Sequence, residues 1–346
     1  MSAYLGPAAL SLMIDHPEQL PSVEAIRAKS GIPPLVYMKV DMGYKRAGVI
    51  PSTAECETLI DGIIAAADAG SCLFHGIYAH AGHSYQARED WKALDYLAAE
   101  FKALEAVSSA IRKRRPSDPL VLSVGATPTA TSLQHPSLDG KAGPGAGEAT
   151  GPALVNEYIS SLKDAGFELE IHAGVYPALD LQQLATHACD GAILSSSSIA
   201  ITVLCEIASL YPGRGPNGTT EALINAGCLA LGREPCADMG PPGEAKHYSG
   251  WGIVAPWGVD NPVPGPDFPA VHGGWQVGKV SQEHGILRWA GDGEEKVTLG
   301  YGQKVRIWPN HACVAGAGYE HYFVVDSRRN GKEDEIVDVW PRWRGW

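Results

Sequence analysis

Over its first half the chain alternates short apolar runs with amphipathic helical stretches, and that alternation restricts the fold more than any other feature. AALSLMID and PLVYMKVDMG read as strands, with EQLPSVEAIRAKSG between them as a helix. STAECETLIDGIIAAADAG is a helix closed by glycine, and CLFHGIYAHAG is a third strand. A long helix follows from Gln86 to about Arg114, then PLVLSVGATPT and FELEIHAGVY as a fourth and fifth strand. Strands that alternate with helices pair in parallel, because a parallel neighbour needs a crossover long enough to hold a helix.

After about Leu184 the texture changes. ILSSSSIAITVLCEIASLYPG, EALINAGCLALG, GWQVGKVSQEHGILRWA, GQKVRIWPNHACVA and HYFVVDS read as strands joined by turns, and helical periodicity is scarce. The expectation is a parallel α/β part over residues 1–184 and a mostly antiparallel β part over residues 185–346. Asp238 to Gly274, dense in Gly, Pro and Trp, reads as a long irregular insertion, and GKAGPGAGEATGP as a surface excursion. The balance of 27 basic against 39 acidic residues, net charge −12, argues against a nucleic-acid groove, which needs a concentrated basic face. Seven cysteines, an odd number with no compact spacing, read as reduced thiols. With no basic n-region at the start and no apolar run long enough to span a bilayer, the expectation is a cytoplasmic protein without membrane contact.

Polar residues gather where the parallel strands end: GIYAHAGHSY, SVGATPTA and HAGVYP. Barrel enzymes place their chemistry at the carboxyl ends of their strands. Ser123, Gly125 and Thr127, with Gly174, Val175 and Tyr176, offer amides and hydroxyls that suit a phosphate, or make ordinary strand-to-helix turns. The absence of GxxxxGK[ST] argues against a nucleoside-triphosphate loop. In KVDMGYKRAG, Arg46 suits a substrate carboxylate or a solvated surface. His75, His80 and His83 suit proton transfer or metal binding, and nothing local chooses between them. Near the C-terminus, QKVRIWP reads as a strand that leads into His311 and Cys313. Two apart on an extended chain, these would share a face as a zinc-binding pair or as core residues.

Taken in order, KVDMGYKRAGV, GIYAHAGHSY, LSVGATPTA, ELEIHAGVYPALD, VSQEHGIL and VRIWPNHAC resemble the eukaryotic D-serine dehydratases and the related D-threonine aldolases. The resemblance runs from about Leu10 to Trp346, with PNHAC and HAGVYPALDLQQ its most specific parts. It implies a pyridoxal-phosphate-binding (β/α)8 barrel of alanine racemase type, present in part, followed by a mostly antiparallel β domain. It implies zinc on His311 and Cys313. Pyridoxal 5'-phosphate would be held by Ser123, Gly125 and Thr127 and by Gly174, Val175 and Tyr176, with His80 and Tyr85 near its ring and Arg46 toward the substrate carboxylate. The implied reaction is β-elimination of water from D-serine, a small-molecule substrate, by a homodimer. Cys313 favours the dehydratases over the aldolases, which resemble this set but carry His and Asp at the metal position. The alternatives are aldolase-type cleavage of D-3-hydroxy amino acids and a catalytically dead relative.

One departure limits the resemblance. The family's Schiff-base lysine lies on the first barrel strand in a motif like HxKTHK, and no lysine here has that context. Lys39 matches a lysine of the racemases that does not form the Schiff base. The expectation is a chain that starts just before the fourth barrel strand and lacks dehydratase activity by itself.

Overall fold

Ser11–Ile14 (β1), Leu35–Lys39 (β2), Leu73–Tyr78 (β3), Val121–Val124 (β4) and Glu168–Ile171 (β5) form one parallel sheet in sequential order. The helices that join them are Leu20–Ser30 (α1), Ala54–Asp68 (α2), Ala93–Arg114 (α3), Thr127–Thr131 (α4) and Gly151–Asp164 (α5). The structure, a computed structural model, describes residues 4, 6–139, 151–189, 193–236, 248, 250–258, 274–291 and 293–343. The glycine-rich excursion expected from residue 140 lies almost wholly outside the described residues.

Local sequence explains these helices. Thr53 caps α2, its hydroxyl accepting the Cys56 N–H at 3.2 Å, and Glu55 and Glu57 complement the positive end of the helix dipole. Cys56, Leu59, Ile60, Ile63 and Ala66 recur at helical spacing and are buried. The helix expected from Gln86 starts at Ala93 instead, because Trp91 takes a left-handed conformation (φ 63°) that interrupts it. Leu94, Leu97, Phe101, Leu104, Val107 and Ile111 then bury one stripe of α3.

The strand registers sort the sheet into two faces. Lys39, Tyr78, Ser123 and Glu170 are successive register partners and form one row across the sheet. Their chain neighbours Met38, Ile77 and Leu122 point to the other face and join the core cluster with Leu59, Ile60, Ile63 and Phe101 from α2 and α3. One face is thus a helix-covered core and the other a polar row at the carboxyl ends of the strands.

The chain divides into two units. Met1–Ala87 with Trp91–Ala173 form the first, and Arg88–Asp90 with Gly174–Trp346 form the second. The first unit ends at Ala173, eleven residues before the end expected at Leu184. In the second unit Leu181–Ala185 (α6) precedes a closed six-stranded barrel. Its strands are Val203–Tyr211 (β6), Glu221–Ile224 (β7), Ile253–Pro256 (β8), Trp275–Val280 (β9), Gly285–Trp289 (β10) and Lys304–Trp308 (β11), in the order β10-β7-β6-β11-β8-β9. All its pairings are antiparallel. Cys228–Leu231 (α7) follows β7, and Ala312–Ala317 (α8) follows β11. His321–Val325 (β12) and Ile336–Pro341 (β13) make a separate antiparallel pair.

The second half corrects several expectations. Asp238 to Gly274 is not wholly an irregular insertion: within it β8 pairs with β9 and β11. Its four residues, ended by Pro256, are too short to show a period, and much of the rest of the segment lies outside the described residues. GCLALG is a turn of helix rather than strand. The strand before His311 ends at Trp308, and Cys313 lies inside α8, so the pair does not share a strand face.

Candidate functional site

Beyond the polar row of the first unit, two residues further along three of these strands, come His80, Gly125 and His172. The His80 Nδ1 lies 2.8 Å from the Gly125 carbonyl, which can only accept, so Nδ1 carries the proton and Nε2 the lone pair. The Ser123 hydroxyl donates to Glu170 Oε1 at 2.5 Å and accepts from His172 Nδ1 at 3.0 Å. His172 stacks on Tyr78 with centroids 4.0 Å apart and on His80 at 5.9 Å. Its Nε2 is buried and has no hydrogen-bond partner among the described residues. Lys39 Nζ sits 4.8 Å over the Tyr78 ring and donates to its neighbouring Val40 carbonyl at 3.4 Å.

Burial and nearby cations set the charges. Burial, then Arg46, pushes His80 down to about 4, and burial, then His80, pushes His172 down to about 3, so both imidazoles are neutral at pH 7. Burial, then Arg46, lowers Lys39 to about 8. Tyr78 rises to about 12 through burial and then Glu100.

Glu100, on the buried stripe of α3, ties the cluster together. Its Oε1 accepts the Ala81 N–H at 2.8 Å and the Gly125 N–H at 3.1 Å, joining the segments that follow β3 and β4. Fully buried, its carboxyl is pushed up to about 7. Gly125 has φ 139°, and a methyl group there would run into the His172 backbone carbonyl.

Of the other residues expected in this unit, Arg46 reaches the cluster through its charge, which acts on Lys39 and His80. Arg46 is exposed against Tyr44, 5.2 Å from its ring, and among the described residues no ion pair holds it. Tyr85 lies in the short turn Gly82–Gln86. The three histidines of the sequence cluster separate: His75 meets Tyr37 edge-on, His83 stacks on Tyr44, and only His80 joins His172. Of the loop expected to cradle a phosphate, the Ser123 hydroxyl serves Glu170 and His172, and the Gly125 amide serves Glu100. The Ala126 amide donates to Thr129 Oγ1 at 2.7 Å. Thr127 is buried at the start of α4.

In the second unit the two most specific sequence segments join. The Leu181 N–H donates to the Pro309 carbonyl at 3.3 Å and the Gln182 N–H to the Asn310 carbonyl at 3.1 Å. Asp180, fully buried, accepts the Gln183 N–H on Oδ1 at 3.1 Å, capping α6, and the Ala312 N–H on Oδ2 at 2.8 Å. The His311 Nδ1 lies 2.6 Å from Gln182 Oε1 and 3.8 Å from Asp180 Oδ2. Asn310 is also fixed, donating to the Glu234 and Gly250 carbonyls and accepting from the Tyr248 hydroxyl at 2.8 Å. A side-chain carbon at Gly174 would lie 3.4 Å from Cys313 Sγ, so the HAGVYP turn passes beside the thiol. Val175 is buried and accepts the Ala178 and Leu179 N–H groups on its carbonyl, while Tyr176 is exposed. Burial, then Asp180, raises the Cys313 thiol above its ordinary value. Among the described residues no group of three His, Cys, Asp or Glu side chains could hold a metal.

Sequence reasoning missed Glu100, which looks like any solvent-facing glutamate of a helix. It also missed Glu170 and His172 as partners of Ser123. The alternation in ELEIH, with Glu168, Glu170 and His172 every second residue, was the available signal.

Comparison with known proteins agrees with this two-part construction. Residues 3–140 match the family described as alanine racemase, N-terminal domain, and residues 200–325 match the putative serine dehydratase domain. The D-serine dehydratase of Schizosaccharomyces pombe is 33% identical over 97% of this chain and 68% of its own length. That of Saccharomyces cerevisiae is 34% identical over 97% and 68%. The solved structure of D-threo-3-hydroxyaspartate dehydratase from Delftia sp. HT23 superposes with a TM-score of 0.67 at 26% identity, over 97% of this chain and 73% of that one. A cysteine-to-alanine variant of that enzyme, solved in its metal-free form, gives 0.66 at 26% identity over 97% and 73%. Sharing a third of its residues with two yeast enzymes along nearly its whole length, the chain belongs to the D-serine dehydratase family of lyases.

Proposed function

We propose that this chain serves the β-elimination of water from a D-3-hydroxy amino acid, D-serine giving pyruvate and ammonia, and that His311 and Cys313 hold a zinc ion for that reaction. The observation that carries the proposal is the bonding of Asp180 and Gln182 to the His311–Ala312 segment, which presents an imidazole and a thiol from a fixed backbone. Nitrogen and sulfur are zinc donors, and a site with few protein ligands keeps positions for water and a substrate oxygen. Asp180 holds the backbone of the site, its two oxygens accepting the Gln183 and Ala312 amides. A metal there would act as a Lewis acid on the departing hydroxyl, a poor leaving group. It would also favour the Cys313 thiolate, which the protein alone disfavours. A cysteine variant of the Delftia enzyme was solved in a metal-free form, and the reading of Cys313 as a ligand draws on that likeness.

Pyridoxal phosphate, which family membership implies, supplies an electron sink for negative charge at Cα. The first unit fits it in part. Tyr78, His80 and His172 offer aromatic walls and Lys39 a cation, while the Ser123 hydroxyl and the Gly125 and Ala126 amides already have partners. His80, neutral with its lone pair on Nε2, offers that nitrogen as a hydrogen-bond acceptor, while its lowered pKa makes it a weak base. Arg46, whose charge acts on Lys39, His80 and Tyr78, would meet the substrate carboxylate.

The test has two arms. Zinc retained after dialysis is expected for the chain as given, and its loss in H311A and C313A. Pyruvate from D-serine with pyridoxal phosphate and zinc would support the elimination and point to an amine of this chain, Lys39 first. No pyruvate would show that the reaction needs a lysine in the family's Schiff-base motif, which no lysine here matches. Acetaldehyde and glycine from D-threonine would favour the aldolase reading. Zinc content unchanged in both variants would sink the metal reading.

A further inference from the structure

The Gln182 side chain bridges two partners of opposite demand. Its Nε2 donates to the Pro235 carbonyl at 2.6 Å, and its Oε1 faces His311 Nδ1 at 2.6 Å. A carbonyl oxygen can only accept, so the Pro235 contact fixes which end of the amide is the nitrogen. With the amide reversed, two oxygens would face each other at that separation. The amide oxygen must therefore point at His311, and Nδ1 must carry the proton. The buried Asp180 carboxyl, 3.8 Å from the same nitrogen, favours a proton there as well.

We infer that Gln182, oriented by the Pro235 carbonyl, holds His311 as the Nδ1–H tautomer and so makes Nε2 the atom that would bind metal. Gln182 is then a positioning residue: it touches neither metal nor substrate and acts through the ring it orients. Asp180 complements it by gripping the Ala312 amide, the backbone unit between His311 and Cys313. The metal half of the inference rests on the zinc reading proposed above, whereas the tautomer half stands on hydrogen-bond directions alone. Imidazole in water prefers the opposite, Nε2–H, form, so the two tautomers give distinguishable outcomes.

The experiment uses the full chain without metal, labelled with 15N-histidine, at a pH where His311 is neutral. Its signals are assigned by their loss in H311Q. Long-range proton–nitrogen spectra should show a pyrrole-like Nδ1 and a pyridine-like Nε2 for His311. Q182L and Q182M, which keep the length of the side chain without its amide, should shift His311 toward the Nε2–H form, with thermal melting checked for both. Zinc affinity, read by competition with a chromophoric chelator, should fall roughly 10- to 100-fold in the same variants. An Nε2–H ring in the unsubstituted protein overturns the inference, as does an Nδ1–H ring retained in both variants. Zinc binding unchanged in Q182L and Q182M overturns the positioning role and leaves the metal reading intact. Failure of the unsubstituted protein to bind zinc, with the tautomer pattern as expected, removes the metal reading and supports the assigned role of Gln182 on the ring.

Discussion

Glu100 shows how one side chain can couple structure to pH. Its helix buries it beside Leu97 and Phe101, where an ionised carboxylate loses solvation that two amide donors only partly replace. Its folded-state value, about 7, lies above the ordinary 4.5, so the folded protein binds the proton more tightly than the unfolded chain does. Its favourable contribution is therefore complete below about pH 4.5 and lost as the pH rises through 7. E100Q keeps an oxygen for the two amides and removes the charge. It should be more stable relative to the unsubstituted protein at pH 8 than at pH 4.5, by up to ~3 kcal/mol. Denaturant melts at the two pH values measure this, and a difference that does not change with pH would refute it. His80 and His172, lowered by burial, act in the opposite sense: their contribution is complete above about pH 6.5 and lost as the pH falls toward 4 and 3. E100Q therefore isolates the rising limb.

At the level of elements, the site is made where strands stop. The carbonyl side of β4 turns at Gly125, whose positive φ and closeness to the His172 carbonyl leave no space for a side chain. That turn also supplies the carbonyl that orients His80 and the amide that binds Glu100. G125A should cost more than ~3 kcal/mol, from strain added to the loss of both bonds, and should show as poor soluble yield or a collapsed melting curve. A variant that melts like its parent would remove the close approach from the account. In the second unit the equivalent device is a pair of short helices, α6 and α8. One carboxylate, Asp180, accepts an N-terminal amide of each, so neither helix depends on its length for stability.

For the whole molecule, each of the two units is organised by its own core. The first presents the neutral histidines and Lys39, and the second the imidazole–thiol pair. If zinc binds His311 and Cys313, it stabilises the second unit by mass action, by ~2.7 kcal/mol at a hundredfold excess over its Kd. Hydrogen exchange should then slow around residues 180–183 and 309–313, with the β4 and β5 amides of the first unit changed least. Protection spread evenly over both units would contradict this. Among the described residues no helix is long and apolar enough to cross a membrane.

The alternation of apolar runs with helical stretches was enough to identify five parallel strands and the first three helices, because a strand with a core face and a capped helix are decided within a dozen residues. The short helix Thr127–Thr131, by contrast, fell at the end of the expected fourth strand. Ordered motifs were also enough to place the chain in its family, and they named His311 and Cys313. Local pattern did not reveal β8, four residues among prolines and glycines, or the helix that begins at Ala312 where extended chain was expected. Nor did it reveal that Glu100 is buried, that Ser123 and Gly125 already have partners, or that Gln182 and Asp180 reach His311 and Ala312 from 129 and 132 residues away. Periodicity reports which face of an element is apolar. Which amide or carboxylate meets which ring depends on contacts between distant segments, and those exist only once the chain has folded.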